Sequence, residues 1–262
     1  MLSVDEDHVD GMVFRLAETR EELEASFKLI HDVFVGSGYI DPTPSGMWLK
    51  LQDFLPQSST FIAVHRGTVV GTMAAYPDSP LGLPYDSTFK EEFDALRAQG
   101  RRIAEVGSSA ILREYRGRGG TMIMHMNKIM LQYISRWGQA DDMVIAVPTG
   151  NAWVFQHVLG FTRISGVKPA PVTSKTEIVA LRLDMHGFED FLRRKYRRVP
   201  LRKKNLYRFY EHDSKSIVLP NRQKAPLPVE DIEYFLAENA TAFPEEQVAA
   251  LRATLASDPA PR

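Results

Sequence analysis

The sequence predicts a mixed α/β sheet with a basic, mostly helical extension at its C-terminal end. Three observations carry that expectation. Short β-rich runs alternate with helix-period runs over the first two thirds of the chain. "DMVIAVPT" is nearly continuously apolar, the pattern of a strand buried on both faces. In "TMIMHMNKIMLQYISRW", Met122, Met126, Ile129, Met130, Tyr133 and Trp137 fall on one helical stripe, wide enough for a helix packed inside.

Taken in order, "MVFRLAE" is a short strand, and Thr19 with Glu22 three residues on forms a capping box. Leu23, Phe27, Ile30 and Phe34 then recur at helical spacing. "GSGYIDPTPSG" is a loop by composition. "STFIAVHRGTVVGTMAAYPD" is a hairpin turning at Arg66-Gly67. A helix from about Thr88 carries Phe89, Phe93 and Leu96 on one side and stops at Gly100. "RRIAEVGSSAIL" is a strand, and Leu112 leads into the loop "REYRGRGG" ahead of the Met-rich helix. After the apolar strand, "NAWVFQHVLGF" is a short helix capped by Gly160, and "TEIVALRLDM" is a further strand. The order is β-α-β-β-α-β-loop-α-β-α-β. Beyond Gly187 the chain turns basic and aromatic, then linker-like at "NRQKAPLPVE", with two short helices at "VEDIEYFLAENA" and "PEEQVAALRATLA". Residues 1–187 are therefore expected to form the main domain, and 188–262 an extension packed on or beside it.

The bulk numbers exclude several classes. The 262 residues are 44% hydrophobic and 25% charged with a net charge of −1, so any electrostatic partner must address a local cluster. With no cysteine there is no disulfide, thiolate metal site or Cys nucleophile. No apolar run approaches the ~20 residues of a membrane span, and the N-terminus lacks the build of a signal peptide. The default expectation is cytoplasmic. The seven histidines, His8, His31, His65, His125, His157, His186 and His212, show no ligand spacing, and no metal is expected.

The loop before the Met-rich helix carries the chemistry, or else it is an ordinary flexible turn. The first amides of a helix have no partners within it and point out at its positive end. Gly117, Gly119 and Gly120 let backbone N–H groups approach a ligand, and Arg116 and Arg118 add attraction, so the loop suits a pyrophosphate or a phosphopantetheine. No Lys-Ser/Thr pair follows the glycines and GxGxxG is not present, which argues against nucleotide loops.

"Y-R-G-R-G-G-T" resembles the acyl-CoA-binding loop of the Gcn5-related N-acetyltransferases, Q/R-x-x-G-x-G/A, with Arg116 and Gly119 matching and Thr121 at the last position. "N-A-W-V-F-Q-H-V-L-G-F" resembles that superfamily's second segment, a helix ending in Gly-Phe. The stretches "FRLAET", "HDVF" and "GLPYD", and "LRAQGRRIAEVG" with its glutamate, are similar to the long-chain N-acyl amino acid synthases, relatives of the acyl-homoserine lactone synthases, over residues 12 to 165. The resemblance implies the Gcn5-related acyltransferase fold. It implies a fatty acyl group delivered as an acyl-CoA or on the phosphopantetheine of acyl carrier protein and passed to the amine of an amino acid. It implies a donor site of Ile111, Arg113, Arg116, Gly117, Arg118, Gly119, Gly120 and Thr121, and substrate contacts at Asp53, Ser109, Asn151 and Gln156.

An α-amino group with a pKa near ~8 needs only a modest base. Glu105 is the candidate: by strand alternation it shares a face with Gly107, Ser109 and Ile111, though it could equally be a salt-bridged strand residue. Many acetyltransferases of the superfamily place a Tyr four residues before the Gly of Gly-Phe to protonate the leaving sulfur; here that residue is Gln156, which cannot titrate. His157 lies on another helical face and reads as a core or surface histidine. The methionines from Met122 to Met130 read first as helix core, and second as the wall of an adaptable acyl tunnel.

Between Arg193 and Lys204 eight residues are cationic: Arg193, Arg194, Lys195, Arg197, Arg198, Arg202, Lys203 and Lys204. They form a solvated face, a nucleic-acid contact, a site for anionic lipid or, best suited to an acyltransferase, a dock for acidic acyl carrier protein. The expected function is N-acyl transfer. The alternatives are an acetyl-CoA-dependent N-acetyltransferase, an inactive acyl-thioester sensor, or a nucleic-acid binder using the basic run.

Overall fold

The computed structural model of the chain describes residue 9 and residues 11–116, 120–137, 140–171, 173–200 and 205–257. Gly117, Arg118 and Gly119 of the donor loop and Arg202, Lys203 and Lys204 of the basic run lie outside the described residues.

Strand β1 (Met12–Leu16) pairs antiparallel with β2 (Ser59–His65), and β2 with β3 (Thr68–Pro77). The hairpin turns where expected, with Arg66 and Gly67 at φ of 51° and 78°, the positive values that a two-residue turn of this hand requires. Next across the sheet come β4 (Ile103–Ile111), β5 (Asp142–Pro148) and β8 (Thr173–Asp184), with short β6 (Thr162–Arg163) and β7 (Lys168–Ala170) both on β8. Every pairing is antiparallel except β4 with β5. The expected mixed sheet is present. The free edge of β1 is covered by 216–218: the Phe14 amide donates to the Ser216 carbonyl at 2.7 Å and the Val218 amide to the Phe14 carbonyl at 2.8 Å.

Helices close both faces. Helix α1 (Arg20–Gly36) starts on Thr19, whose hydroxyl accepts the Glu22 amide at 3.3 Å; the Glu22 carboxylate takes the Glu18 amide and Arg15. Helix α2 (Asp86–Ala98) buries Phe89, Phe93 and Leu96, as its periodicity predicts. A one-turn helix, α3 (Arg113–Arg116), lies within the donor loop, and α4 (Thr121–Arg136) is the Met-rich helix. Met122, Met124, Met126 and Met130 are all buried against β1, β2, β3 and β5. Helix α5 (Ala152–Leu159) ends on Gly160 in the left-handed region, φ 80°.

The C-terminal extension is more helical than the sequence suggested. Besides α8 (Val229–Glu238) and α9 (Glu245–Ser257), the basic stretch contains α6 (Phe188–Tyr196) and α7 (Leu206–Glu211). Phe188 and Leu192 of α6, with Leu206 and Phe209 of α7, join the α4 core. On the opposite face α8 and α9 join α1: Phe235 packs edge-on to Phe27 at 5.2 Å and stacks on Phe54 at 5.9 Å. Phe235 is fully buried, and truncating such a side chain to alanine costs ~3–5 kcal/mol.

Two irregularities position the site. Strands β4 and β5 pair only over Ile103–Glu105 and Asp142–Val144; beyond that each follows its other neighbour and the sheet opens. On β4, Thr72 faces Ala110 but Ala74 faces Gly107, so Ser108 and Ser109 together oppose Met73. This is a β-bulge, with Ser108 at a φ of 49°.

Candidate active site

The opening between β4 and β5 leads into a cavity of about 1180 Å³. Its walls come from both faces of the sheet. On the α4 face they include Ile123, Met130, Leu131, Phe155 and Phe188. On the α1 face they include Trp48, Lys50, Tyr85 and Phe243, and between the two stand Gly107, Ser108 and Ser109 of the bulged strand. Met130 is thus both helix core and cavity wall.

The bulge corrects the expected strand face. Alternation put Glu105, Gly107, Ser109 and Ile111 together; the extra residue reverses the phase after Gly107. Glu105 shares its face with Gly107, Ser108 and Ala110, while Ile111 turns to the α4 face and packs near Met122. Ser109 is exposed at the cavity wall.

Glu105 is fully buried at the foot of the opening. One oxygen accepts the Tyr85 amide at 2.8 Å; the other, Oε1, has no hydrogen-bond partner. Burial pushes its carboxyl up to about 7, against the opposing pull of the Lys50 cation. A carboxyl held there exchanges protons readily near neutrality. Oε1 lies directly beneath Gly107, which lines the cavity: a Cβ on Gly107 would stand 3.8 Å from it and 3.5 Å from Lys50 Nζ. Glu105 itself does not line the cavity; with no side chain on Gly107, its Oε1 and Lys50 Nζ both come close to the same point of the wall.

A directional hydrogen-bond chain surrounds that space. Lysine can only donate and an ionised carboxylate can only accept. Lys50 Nζ therefore donates to Ser108 Oγ (3.4 Å), Ser108 to Tyr76 Oη (2.6 Å), and Tyr76 to Asp53 Oδ1 (2.8 Å). Asp53 Oδ2 accepts the Lys50 backbone amide at 2.6 Å and closes the ring. Burial raises the Asp53 carboxyl, opposed first by Lys50; burial and then Asp53 hold the Tyr76 hydroxyl well above its ordinary value, so Tyr76 stays a donor. Asp53, expected to touch the acceptor, is instead buried behind Lys50 and does not line the cavity.

Lys50, Tyr76, Tyr85, Gly107 and Ser108 were not singled out in the sequence as a site. Lys50 sits in a loop without periodicity, and Tyr76 reads as one more aromatic in a strand. The signal available was "VGSS", a glycine and two serines in the middle of a strand, a pattern that marks a bulge.

At the expected donor loop, Gly120 caps α4 at φ 75°, and the first bond of the helix runs from the Met124 amide to the Gly120 carbonyl at 3.1 Å. The amides of Met122 and Ile123 accordingly have no partner within the helix. Thr121 is fully buried at this terminus, with its carbonyl facing His125 Nδ1 at 2.9 Å. Arg113 and Arg116 lie on α3, where Arg116 Nε donates to the Ile111 carbonyl at 2.7 Å. Asn151 lines the cavity; Gln156 is half-buried and does not. His157 is an exposed residue stacked on Trp153 at 4.7 Å.

The N-acyl amino acid synthase FeeM family matches residues 25–184, well over half of the chain, from within α1 to the end of β8. Among solved structures, FeeM, an N-acyl amino acid synthase from uncultured soil microbes, superposes with a TM-score of 0.59 at 22% identity, covering 68% of this chain and 93% of that one. BjaI, a CoA-dependent acyl-homoserine lactone synthase solved with SAM and isopentyl-CoA, superposes with a TM-score of 0.54 at 17% identity, covering 85% and 97%. At these identities the two structures speak to the fold, which they share with this chain. Comparison with curated protein sequences gives no match. On the family match, this chain is an acyltransferase belonging to the N-acyl amino acid synthase FeeM family.

Proposed function

We propose that the protein transfers a long-chain fatty acyl group from a thioester, on acyl carrier protein or CoA, to the amine of an amino acid. The observation that carries the reading is the cavity through the β4–β5 opening with Glu105 beneath its glycine window. About 1180 Å³ exceeds the ~300–1,000 Å³ of pockets for drug-sized ligands, room for a long chain and an acceptor together. An acetyl group would leave most of it empty.

The reaction follows from the placement. The thioester enters the opening with its pantetheine toward the α4 N-terminus and its chain along Ile123, Met130, Leu131 and Phe155. Glu105 takes a proton from the acceptor ammonium through the space over Gly107, and the neutral amine attacks the thioester carbonyl. The C–N bond forms and the C–S bond breaks, expelling thiolate. A thiol pKa near ~8.5 lets that thiolate leave without a dedicated acid, which suits Gln156 where relatives of the superfamily carry Tyr. The amide's surplus proton ends on the thiolate, directly or through solvent.

For the donor, the basic face of α6 and of the turn after it favours a carrier protein: Arg193, Arg194 and Lys195 on the helix and Arg197 and Arg198 just beyond it are all exposed, and Phe188 of the same helix lines the cavity. BjaI, which shares the fold, is a CoA-dependent acyl-homoserine lactone synthase, so both donors belong in the test. Purified protein is given acyl carrier protein and CoA thioesters of increasing chain length with a panel of amino acids, and products are read by mass spectrometry. N-acyl amino acids formed faster from long chains than from acetyl are expected. Tight thioester binding with no transfer to any amine would overturn the reading in favour of a sensor.

A further inference from the structure

We propose that Lys50 is the acceptor-recognition residue, an ammonium that binds the carboxylate of an α-amino acid while Glu105 receives its amine. The inference rests on the amino-acid reading above and names the group that would select amino acids over other amines.

Lys50 Nζ is at the cavity wall, and among the described residues no carboxylate lies within ion-pair distance of it. Its neighbours are a hydroxyl and two rings: Ser108 Oγ at 3.4 Å, and the Tyr76 and Tyr85 ring centres at 5.1 and 5.9 Å. Such contacts hold a cation without neutralising it. The nearby acids are otherwise engaged. Asp53 accepts from Tyr76 and from the Lys50 backbone, and Asp86 pairs with Arg97 at 2.8 Å. The lysine is also held in place, because the Asp53 amide donates to the Lys50 carbonyl at 3.0 Å while the Asp53 carboxylate holds the Lys50 amide.

The geometry decides what the cation is for. The vacant Cβ position of Gly107, at the cavity wall, is 3.5 Å from Lys50 Nζ and 3.8 Å from Glu105 Oε1, the oxygen with no partner. An acid and a base facing one small space are complementary to a zwitterion whose amine and carboxylate share a carbon. A simple amine would satisfy Glu105 and leave Lys50 desolvated without a counter-charge. A phosphate of the donor is a poorer occupant, because the described donor-loop residues Arg113, Arg116, Gly120 and Thr121 do not line this cavity. Docking a carboxylate on Lys50 also offsets that cation's pull on Glu105, so the base strengthens as the acceptor binds.

The experiment compares an accepted amino acid with the amine that lacks only its carboxylate, in wild type, Lys50→Met and Lys50→Arg. The readout is the ratio of kcat/KM for the two acceptors within each variant, which a folding defect leaves unchanged because it lowers both rates. A wild-type preference for the amino acid of about 10- to 100-fold is expected, the range of a hydrogen bond to a charged group. Lys50→Met should collapse that ratio toward one through the acceptor KM, and Lys50→Arg should retain part of it. A ratio unchanged in Lys50→Met overturns the inference while leaving amino-acid acylation standing. Failure of wild type to acylate either acceptor overturns both.

Discussion

Glu105 Oε1 and the vacant Cβ position of Gly107 are 3.8 Å apart, so no side chain separates the buried candidate base from the cavity wall at Gly107. A methyl group there would meet Lys50 Nζ, Tyr76 and Glu105 at 3.5–3.8 Å, ordinary van der Waals contacts. Gly107→Ala should therefore fold normally, yet fill the approach to the base. Misplacing an acceptor by ~1 Å costs on the order of 10²-fold in rate, and kcat/KM should fall by that order with little change in Tm. Wild-type turnover in this variant would show that the amine takes another route.

Glu105→Gln separates the base from the fold. Removing a general base lowers rate by ~10²–10⁴-fold, and the ascending limb of the kcat/KM profile near a pH of about 7 should disappear with it. The stability effect has the opposite sign. The folded carboxyl titrates at about 7, above its unfolded value, so the folded state holds the proton more tightly and loses stability as pH rises between the two values. The Gln variant escapes that loss and should gain ~1–3 kcal/mol over wild type at alkaline pH, with the gain vanishing in acid. Denaturant melts on both sides of neutrality check this; an equal difference at both pH values would mean that Glu105 does not titrate as described.

The chain from Lys50 to Asp53 predicts unequal losses. In Tyr76→Phe the buried Asp53 Oδ1 loses its hydroxyl donor, and an unsatisfied buried acceptor costs ~1–3 kcal/mol or more when charged. In Ser108→Ala, Tyr76 keeps Asp53 as its acceptor and only the Lys50 end is freed. The first variant should be the less stable, and both should raise the acceptor KM. Because the groups act in series, the double variant should cost less than the sum. Strict additivity, measured by denaturant melts of all three proteins, would break the network into independent contacts.

The parts of this site legible in the sequence are those set by short-range rules. Thr19, Gly67, Gly100 and Gly160 end or begin elements through local backbone geometry, and the buried stripe of α4 follows from its 3.6-residue period. Glu105 stands out as a candidate through its place on the strand before the loop. Its face neighbours were mistaken because the Ser108 bulge depends on the pairing with β3, and alternation assumes no extra residue. Lys50, Tyr76 and Tyr85 converge from a loop, a strand and a helix N-cap far apart in the chain, and no local pattern brings them together. The helices α6 and α7 were masked by charge. α6 buries only Phe188 and Leu192 and turns its cations outward, which resembles an unstructured basic tract.

That outward face yields the last prediction. Arg193 pairs with Glu189 and Asp190, both exposed, and Lys195 reaches the His157 carbonyl, where a cation complements the C-terminal end of α5. Arg194, Arg197 and Arg198 have no ion-pair partner among the described residues and are exposed, so they carry most of the field available to an acidic carrier protein. Contacts between exposed charges are screened over ~8–10 Å at ordinary ionic strength. An encounter steered by them should therefore slow with added salt, and the loss should fall on kcat/KM for the carrier-bound donor. Acyl-CoA, whose own phosphates meet the α4 terminus in the proposed reading, should depend less on these arginines. Reversing Arg194, Arg197 and Arg198 to Glu should thus cut carrier-dependent kcat/KM by about tenfold or more at low salt, flatten its salt dependence and spare much of the acyl-CoA rate. Equal losses with both donors would place the effect in the fold of α6 and remove it from docking.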